Sequence, residues 1–357
     1  MSKKIVLTGG GTAGHVTPHL ALLPYLVKDG YEVFYIGSKN GIEKHLIRDQ
    51  GLPYYEIETG KLRRYFDPKN FSDPFRVIRG LGEAHRILRK IKPDVIFSKG
   101  GYVSVPVVQA GAMLRIPSII HESDMTPGLA NKLCFRAAKK ICCNFPETMN
   151  DLPSGKAVLT GTPIREELFS GSAERGFAFT GLANDKPVIL VVGGSLGAQA
   201  VNEAVRAALP GLLENWSVVH LTGKGKLDAS FEGTAGYRQY EYIKEELPDL
   251  FAMADLVISR AGANAICEIE ALAKPNILIP LPAKASRGDQ LLNAESFKKQ
   301  GFSVVLKEES VTPKVLIDAV NNLYENRADY IKAMKESPQG DSAGVIMKLI
   351  NNYRLHR

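Results

Sequence analysis

Near its beginning the chain reads Ile5-Val6-Leu7-Thr8-Gly9-Gly10-Gly11-Thr12-Ala13-Gly14-His15. The apolar run predicts a short buried strand, the glycines predict a tight turn, and a helical pattern follows. A second strand–turn–helix unit opens at 187–194, where an apolar run is followed by Gly193-Gly194. Short apolar runs alternate with helical patterns after both openings, which predicts an α/β protein with two parallel sheets.

The apolar runs give approximate positions for the strands and the domains. We expect a first domain at 1–163 and a second at 164–340, with an amphipathic tail at 341–357 that packs back on the first domain. The predicted strands lie near 4–8, 31–36, 53–57, 94–98, 117–120, 139–143 and 156–160 in the first domain, and near 187–192, 216–221, 238–242, 255–259, 275–280 and 303–306 in the second.

Composition limits the class of protein. The 357-residue chain has a net charge of +7, which favours an anionic partner such as nucleic acid, a phosphorylated ligand or a membrane surface. Its four cysteines form no CxxC pair and no zinc spacing, which fits a reducing cytoplasm. Met1-Ser2-Lys3-Lys4 leads directly into the first strand, so we expect no signal peptide. No apolar run reaches ~18 residues, so any membrane contact should be peripheral.

The first glycine loop matches GxGxxG, the pattern of dinucleotide-binding sites. Such a site needs an acid at the end of the second strand, but the chain there reads Tyr35-Ile36-Gly37-Ser38-Lys39. Lys39 would suit a 2′-phosphate, so an NADP enzyme stays open on this evidence. His15 stands in the turn, where α/β sheets place chemistry, and we favour a proton-transfer role over a capping one.

Three further stretches carry candidate site residues. Gly100-Gly101 and Gly193-Gly194-Ser195 each follow a strand, and their amides are suited to phosphate. Ser259-Arg260-Ala261-Gly262 precedes a helix that carries Glu268, whose carboxylate could accept hydrogen bonds from a ribose diol. The basic aromatic stretch 61–79 reads either as an ordinary solvated face or as a docking face for an anionic membrane; its candidate residues are Phe71, Phe75, Arg76 and Arg79.

These motifs together resemble the MurG family of UDP-N-acetylglucosamine–N-acetylmuramyl-(pentapeptide) pyrophosphoryl-undecaprenol N-acetylglucosamine transferases. The resemblance covers essentially the whole chain. It is carried by Gly10–Pro18, Gly100–Ser104, His121-Glu122, Pro127–Lys132, Gly193–Ser195, Ser259–Gly262 with Glu268, and Asp289-Gln290 with Asn293.

The resemblance implies a GT-B fold, with two Rossmann-like domains whose parallel sheets face across a deep cleft. It implies that the second domain binds UDP-GlcNAc and that the chemistry needs no metal or other cofactor. The ribose hydroxyls are expected on Glu268, the diphosphate on Ser195 and Arg165, the sugar on Gln290, and the uracil on the backbone of Ile243. Thr12, Gly14 and Asp124 complete the expected donor contacts.

The expected acceptor is lipid I, undecaprenyl-diphosphate-MurNAc-pentapeptide, facing the first two glycine loops with Gly101 and Tyr102. The resemblance places the enzyme peripherally on the cytoplasmic face of an anionic membrane, and no nucleic-acid motif accompanies the basic stretch. His15 is the expected base or a close electrostatic helper, and Glu122 and Asp124 are its rivals. The chain departs from the usual family pattern at Ala13, Val105 and Ser123-Asp124.

Other functions stay open from the sequence alone. A UDP-sugar:diacylglycerol glycosyltransferase and a UDP-GlcNAc epimerase of the same fold would both keep a UDP pocket. A non-catalytic membrane-recruitment module is a third possibility, although His15, Ser195, Arg165 and Glu268 argue against it.

Overall fold

A computed structural model of the protein describes residues 3–60, 73–194, 197–285, 288–337 and 341–355. The chain divides into two compact units. The first consists of Met1–Arg165 with Asp341–Arg357, and the second of Glu166–Gly340.

The first unit is built on a seven-stranded parallel sheet in the order β3-β2-β1-β4-β5-β6-β7. Its strands are β1 (Lys3–Thr8), β2 (Tyr31–Ser38), β3 (Tyr54–Ile57), β4 (Val95–Ser98), β5 (Ser118–Glu122), β6 (Lys140–Cys143) and β7 (Ala157–Leu159). The helices between them are α1 (Thr17–Lys28), α2 (Glu43–Arg48), α3 (Asp73–Ile91), α4 (Ser104–Met113) and α5 (Leu129–Cys134).

This sheet is buried on both faces, which is why its strands read as continuous apolar runs. Ile5 and Leu7 belong to one core cluster, and Val6 between them belongs to another on the opposite face. The strand order reverses between β1 and β4, which pair in parallel so that Thr8 lies beside Ser98. Open parallel sheets bind ligands at such a reversal, beyond the carboxyl ends of the strands. The first two glycine loops both begin there.

The second unit is built on a six-stranded parallel sheet in the order β10-β9-β8-β11-β12-β13. Its order reverses between β8 and β11, where Val192 pairs with Ser259. The strands are β8 (Val188–Val192), β9 (Ser217–Leu221), β10 (Tyr237–Tyr240), β11 (Leu256–Ser259), β12 (Asn276–Leu278) and β13 (Val304–Val305). The helices are α6 (Ala173–Thr180), α7 (Gln199–Asn215), α8 (Leu247–Met253), α9 (Ala263–Ala271), α10 (Asp289–Lys299), α11 (Pro313–Glu325) and α12 (Arg327–Lys335).

The last helix, α13 (Ser342–Tyr353), belongs to the first unit. Ile346 and Ile350 are fully buried in the cluster that contains Ile5 and Leu7. Asn351 links this helix to the sheet, because its side-chain oxygen accepts a hydrogen bond from the Tyr31 hydroxyl at 2.8 Å and its side-chain nitrogen donates to the Asp29 carboxylate at 2.6 Å.

The predicted α/β class with two parallel sheets is confirmed. Every predicted strand is present, with its bounds shifted by only one to a few residues. Among the described helices, none combines the length and the apolar character that crossing a membrane would require.

Candidate active site

The first glycine loop links β1 to α1. Gly11 adopts a φ of 93°, a conformation that favours glycine. The Thr12 hydroxyl lies 2.9 Å from Nδ1 of half-buried His15, so the imidazole is oriented by its own loop. The structure therefore brings Thr12, Gly14 and His15 together on one turn at the reversal of the first sheet.

A carboxylate that the sequence analysis missed supports this loop. The side chain of Glu43, fully buried in α2, accepts hydrogen bonds from the Gly11 amide at 3.2 Å, the Ser38 amide at 3.1 Å and the Ser38 hydroxyl at 2.5 Å. An acid is thus present at the end of β2, but it reaches back from the next helix and binds protein groups. Lys39 forms an ion pair with Glu58 at 2.7 Å.

The second glycine loop lies directly against the first. Gly100 and Gly101 have φ angles of 87° and 82°. A Cβ atom on Gly101 would lie 2.3 Å from the carbonyl oxygen of Gly10, and one on Gly11 would lie 2.7 Å from the Tyr102 ring. Glycine is required at these positions because of both backbone conformation and close approach.

Lys99, at the start of the second loop, is almost completely buried, which its charge would not predict. Its ammonium donates to the hydroxyl of Ser123 at 2.7 Å and to that of Thr162 at 3.1 Å, and lies 2.7 Å from Nδ1 of His121. Burial, and then the nearby Lys99, lower the pKa of His121 well below its usual value. A neutral His121 accepts from Lys99 and donates through Nε2 to the Gly161 carbonyl at 2.8 Å.

Glu122, the second predicted catalytic residue, is buried at the end of β5. Its buried carboxylate accepts hydrogen bonds from the Asn131 amide at 2.8 Å, the Gly128 backbone amide at 2.9 Å and the Asp124 backbone amide at 3.2 Å. Burial raises the pKa of Glu122, and these hydrogen bonds oppose that rise. The arrangement favours a positioning role, in which Glu122 fixes the loop that carries half-buried Asp124.

In the second unit, Gly197 in the loop after β8 lies against Thr222, the residue that follows β9. A Cβ atom on Gly197 would lie 1.9 Å from the Thr222 carbonyl oxygen, so the chain there also requires glycine. The predicted diphosphate contact Ser195 lies outside the described residues. Arg165 is half-buried and is the last residue of the first unit before the chain enters the second.

The turn 259–262, which connects β11 to α9, is tied to its neighbours by side chains. The Ser259 hydroxyl donates to the Val192 carbonyl at 3.0 Å, Arg260 donates to the Ile279 carbonyl at 3.0 Å, and Asn293 donates to the Ala261 carbonyl at 3.2 Å. Glu268 is half-buried on α9, which begins at Ala263. These contacts fix the direction of α9 relative to the strand ends, and so the position of Glu268.

The structure also describes Gln290 and Ile243, the two other predicted donor residues of the second unit. Gln290, in the first turn of α10, accepts a hydrogen bond from the Leu281 amide at 3.0 Å through its side-chain oxygen, so its amide group is oriented by the backbone. Ile243 is half-buried in the segment after β10. Among the described residues, no group of three His, Cys, Asp or Glu side chains is arranged to hold a metal ion.

Comparison with known proteins decides the family. The glycosyltransferase family 28 N-terminal domain matches residues 5–143, and the family 28 C-terminal domain matches residues 188–350. A UDP-N-acetylglucosamine–N-acetylmuramyl-(pentapeptide) pyrophosphoryl-undecaprenol N-acetylglucosamine transferase of Lachnospira eligens is 63% identical over 98% of this chain and 99% of its own. The chain belongs to the MurG family.

Two further comparisons agree with that assignment. The transferase of the same name from Lachnoclostridium phytofermentans is 61% identical over 99% of both chains. The crystal structure of Acinetobacter baumannii MurG superimposes with a TM-score of 0.79 at 28% identity, covering 98% of this chain and 99% of that one. The chain therefore resembles other MurG-family members both in sequence and in its GT-B fold, and it is a hexosyltransferase.

In this MurG-family chain, the start of α3 carries the described part of the basic aromatic stretch. Phe75 and Ile78 are 76% and 66% exposed, and Arg76 and Arg79 are exposed beside them. Arg79 also forms an ion pair with Glu83 at 3.3 Å. Phe71 and the basic run 61–66 lie outside the described residues.

Helix α9 also carries Glu270, which gives a pH-dependent prediction. Burial raises the pKa of Glu270 from 4.5 to about 7, although the Ser337 hydroxyl donates to it at 2.6 Å. Between these two values the folded chain retains a proton that the unfolded chain has lost, so stability falls as pH rises through this window. We expect Glu270→Gln to stabilise the protein by on the order of 2–3 kcal/mol at pH 8 and by far less at pH 4.5.

Urea denaturation at the two pH values measures this difference. Glu295→Gln, an exposed substitution on α10, is the control and should leave the pH dependence unchanged. An equal effect of Glu270→Gln at both pH values would contradict the raised pKa.

Proposed function

We propose that the protein transfers GlcNAc from UDP-GlcNAc to the 4-hydroxyl of MurNAc in lipid I, which forms lipid II for peptidoglycan synthesis. The observation that carries this proposal is the 61–63% identity, over nearly the full chain, to transferases named for that donor and acceptor. The contact between the two glycine loops at the reversal of the first sheet supports it, because such a position suits ligand binding.

The proposed reaction is a displacement with inversion. The acceptor oxygen attacks C1 of GlcNAc, the C1–O bond to UDP breaks, and the α linkage becomes β. His15 takes the proton from the attacking hydroxyl, and UDP leaves with the bonding electron pair. We assign the departing diphosphate to Ser195 and Arg165, since a hydroxyl donor and a guanidinium can stabilise the charge that develops on a leaving group.

The other parts of the donor are assigned to further residues. We assign the ribose to Glu268, the uracil to the Ile243 backbone and the sugar to Gln290, and we keep Asp124 as a further donor contact. Glu122 positions the Asp124 loop. No metal takes part in the proposed chemistry.

The decisive experiment incubates the protein with UDP-GlcNAc and a lipid I analogue. The expected products are UDP and a lipid-linked β-1,4 disaccharide, formed at the same rate with and without a metal chelator. UDP release that does not depend on acceptor, or transfer to diacylglycerol offered instead, would overturn the assignment. A rate abolished by the chelator would overturn only the metal-free mechanism.

We also propose that α3 docks on the cytoplasmic face of an anionic membrane. Phe75 and Ile78 expose apolar surface beside Arg76 and Arg79, and each basic residue near such a surface contributes about 1 kcal/mol. Phe75→Ser should weaken binding to vesicles containing anionic lipid about five- to tenfold, because a phenyl ring no longer enters the interface.

Co-sedimentation with vesicles of neutral or anionic lipid measures this binding. Phe169→Ser removes a phenyl ring that is 57% exposed in the second unit, and it should have no effect. Equal loss in both variants would place the docking surface elsewhere.

A further inference from the structure

Lys99 holds three side chains on one buried ammonium at the carboxyl end of β4. Its Nζ lies 2.7 Å from Nδ1 of His121, 2.7 Å from the Ser123 hydroxyl and 3.1 Å from the Thr162 hydroxyl. A lysine ammonium has three protons and no acceptor, so each of these partners accepts one proton. The directions of all three hydrogen bonds are therefore fixed.

The Ser123 hydroxyl keeps a proton of its own to donate. Because its oxygen accepts from the buried ammonium, its O–H bond is polarised and directed away from Lys99. Ser123 is half-buried, and no acceptor in the described part of the chain takes this proton. The hydroxyl is therefore a hydrogen-bond donor that is available to a ligand.

The backbone on both sides of this hydroxyl is fixed. The Ser123 carbonyl accepts from the Asn144 side chain at 3.0 Å, and the Asp124 amide donates to the Glu122 carboxylate at 3.2 Å. The loop follows β5, which pairs with β4, so the hydroxyl lies at the carboxyl end of the sheet. A group held in this way loses little conformational freedom when it binds a ligand.

Ser123 and its neighbour Asp124 have complementary hydrogen-bonding capacity. A carboxylate only accepts hydrogen bonds, whereas the Ser123 hydroxyl, held by Lys99, is set to donate. Such a combination suits a sugar, whose hydroxyls both donate and accept, better than a phosphate, which a carboxylate repels. The chain departs from the usual family pattern at both positions.

We propose that Ser123 is a specificity-determining residue that donates a hydrogen bond to the sugar of UDP-GlcNAc, and that Lys99 is a positioning residue that orients its hydroxyl. This inference rests on the proposed function and deepens it. Lys99 acts through Ser123, because the protons of its ammonium are used within the protein. Ser123 thus supplies the hydrogen-bond donor that the Asp124 carboxylate lacks.

Titration calorimetry with UDP-GlcNAc and with UDP separates the contribution of the sugar from that of the nucleotide. Ser123→Ala should raise the Kd for UDP-GlcNAc about three- to tenfold and change the Kd for UDP less than about twofold, because one hydrogen bond to the sugar is lost. Ser123→Thr keeps a hydroxyl and should restore most of the affinity. Thr162→Val is the matched control: it removes the other hydroxyl from Lys99 and should change both Kd values by the same factor.

Lys99→Met tests the positioning role, because it shortens the side chain little and removes its charge. In this background Ser123→Ala should change the Kd for UDP-GlcNAc less than about twofold, since the Ser123 hydroxyl is no longer oriented. A full loss on Ser123→Ala in both backgrounds would show that Lys99 does not act through Ser123.

If Lys99→Met does not melt cooperatively, Ser123→Cys in the otherwise unchanged chain gives the answer. An ammonium stabilises a thiolate beside it, so the pKa of the introduced thiol should lie clearly below its ordinary value of about 8.5. The rate of alkylation by iodoacetamide as a function of pH measures this pKa, and the native cysteines are all buried. A thiol that titrates at its ordinary value or higher would rule out the action of Lys99 on this position.

Two further results would overturn the assignment of Ser123 to the sugar. One is an unchanged Kd for UDP-GlcNAc in Ser123→Ala, including the case in which only the KM for a lipid I analogue rises. The other is an equal rise in the Kd values for UDP and UDP-GlcNAc, which would indicate a disturbed loop. If the unchanged protein binds neither UDP nor UDP-GlcNAc, the proposed function itself fails, and the same titrations show this separately.

Discussion

Replacing His15 with alanine should lower kcat roughly 10²–10³-fold with both substrates saturating, because general-base catalysis contributes about 10²–10⁴-fold to such transfers. The imidazole lies on the first glycine loop and is oriented by the Thr12 hydroxyl at 2.9 Å. UDP-GlcNAc affinity should change less than twofold, since the groups assigned to the nucleotide lie mainly in the second unit. Acceptor-dependent UDP release, followed with a lipid I analogue, measures both quantities.

Two variants make the result specific. His45→Ala removes an exposed histidine from α2 and should keep full turnover. Asp124→Asn tests the remaining rival base, and we expect a smaller fall in kcat than for His15→Ala. Near wild-type turnover by His15→Ala would show that the base assignment is wrong.

Replacing Glu268 with alanine should raise the Kd for UDP-GlcNAc roughly ten- to a hundredfold. Hydrogen bonds to a charged group contribute about 1.5–3 kcal/mol, and 1.4 kcal/mol is tenfold in affinity. Glu268 lies half-buried on α9, whose start is fixed by the tied turn 259–262. Titration calorimetry with UDP-GlcNAc measures the loss directly.

The KM for the acceptor shows whether the effect of Glu268→Ala is confined to the donor. The KM for the lipid I analogue should stay within about twofold, because a lost ribose contact weakens only the donor. Glu295→Ala, an exposed substitution on α10, should change neither the Kd for UDP-GlcNAc nor the KM for the lipid I analogue. An equal loss for donor and acceptor in Glu268→Ala would indicate a folding defect instead of a ribose contact.

The sequence predicted the sheets well because their information is local. Strands such as β1 and β8 are buried on both faces over most of their length, so each appears as an apolar run that needs no partner to be recognised. The glycine loops were found for a similar reason, since positive φ angles such as that of Gly11 leave a direct mark on composition.

The supporting residues of the site were not predicted, because their contacts are distant in sequence. Glu43 meets Gly11 across 32 residues, and Lys99 meets Thr162 across 63. A charged residue is normally exposed, so nothing in the local pattern marks either one as buried. The hydrogen-bond partners of Glu122 could not be read from the sequence either, because the Asn131 amide and the Gly128 backbone amide that donate to it lie nine and six residues away in the chain.

Because α13 packs on the first unit, the two units can complete their hydrophobic cores only in a particular order during synthesis. The hydrophobic core around Ile5 and Leu7 includes Ile346 and Ile350, which leave the ribosome only after the whole second unit has been made. The second unit, continuous from Glu166 to Gly340, can complete its own core earlier. The half of the chain that is translated first can therefore complete its hydrophobic core only after the rest has been made.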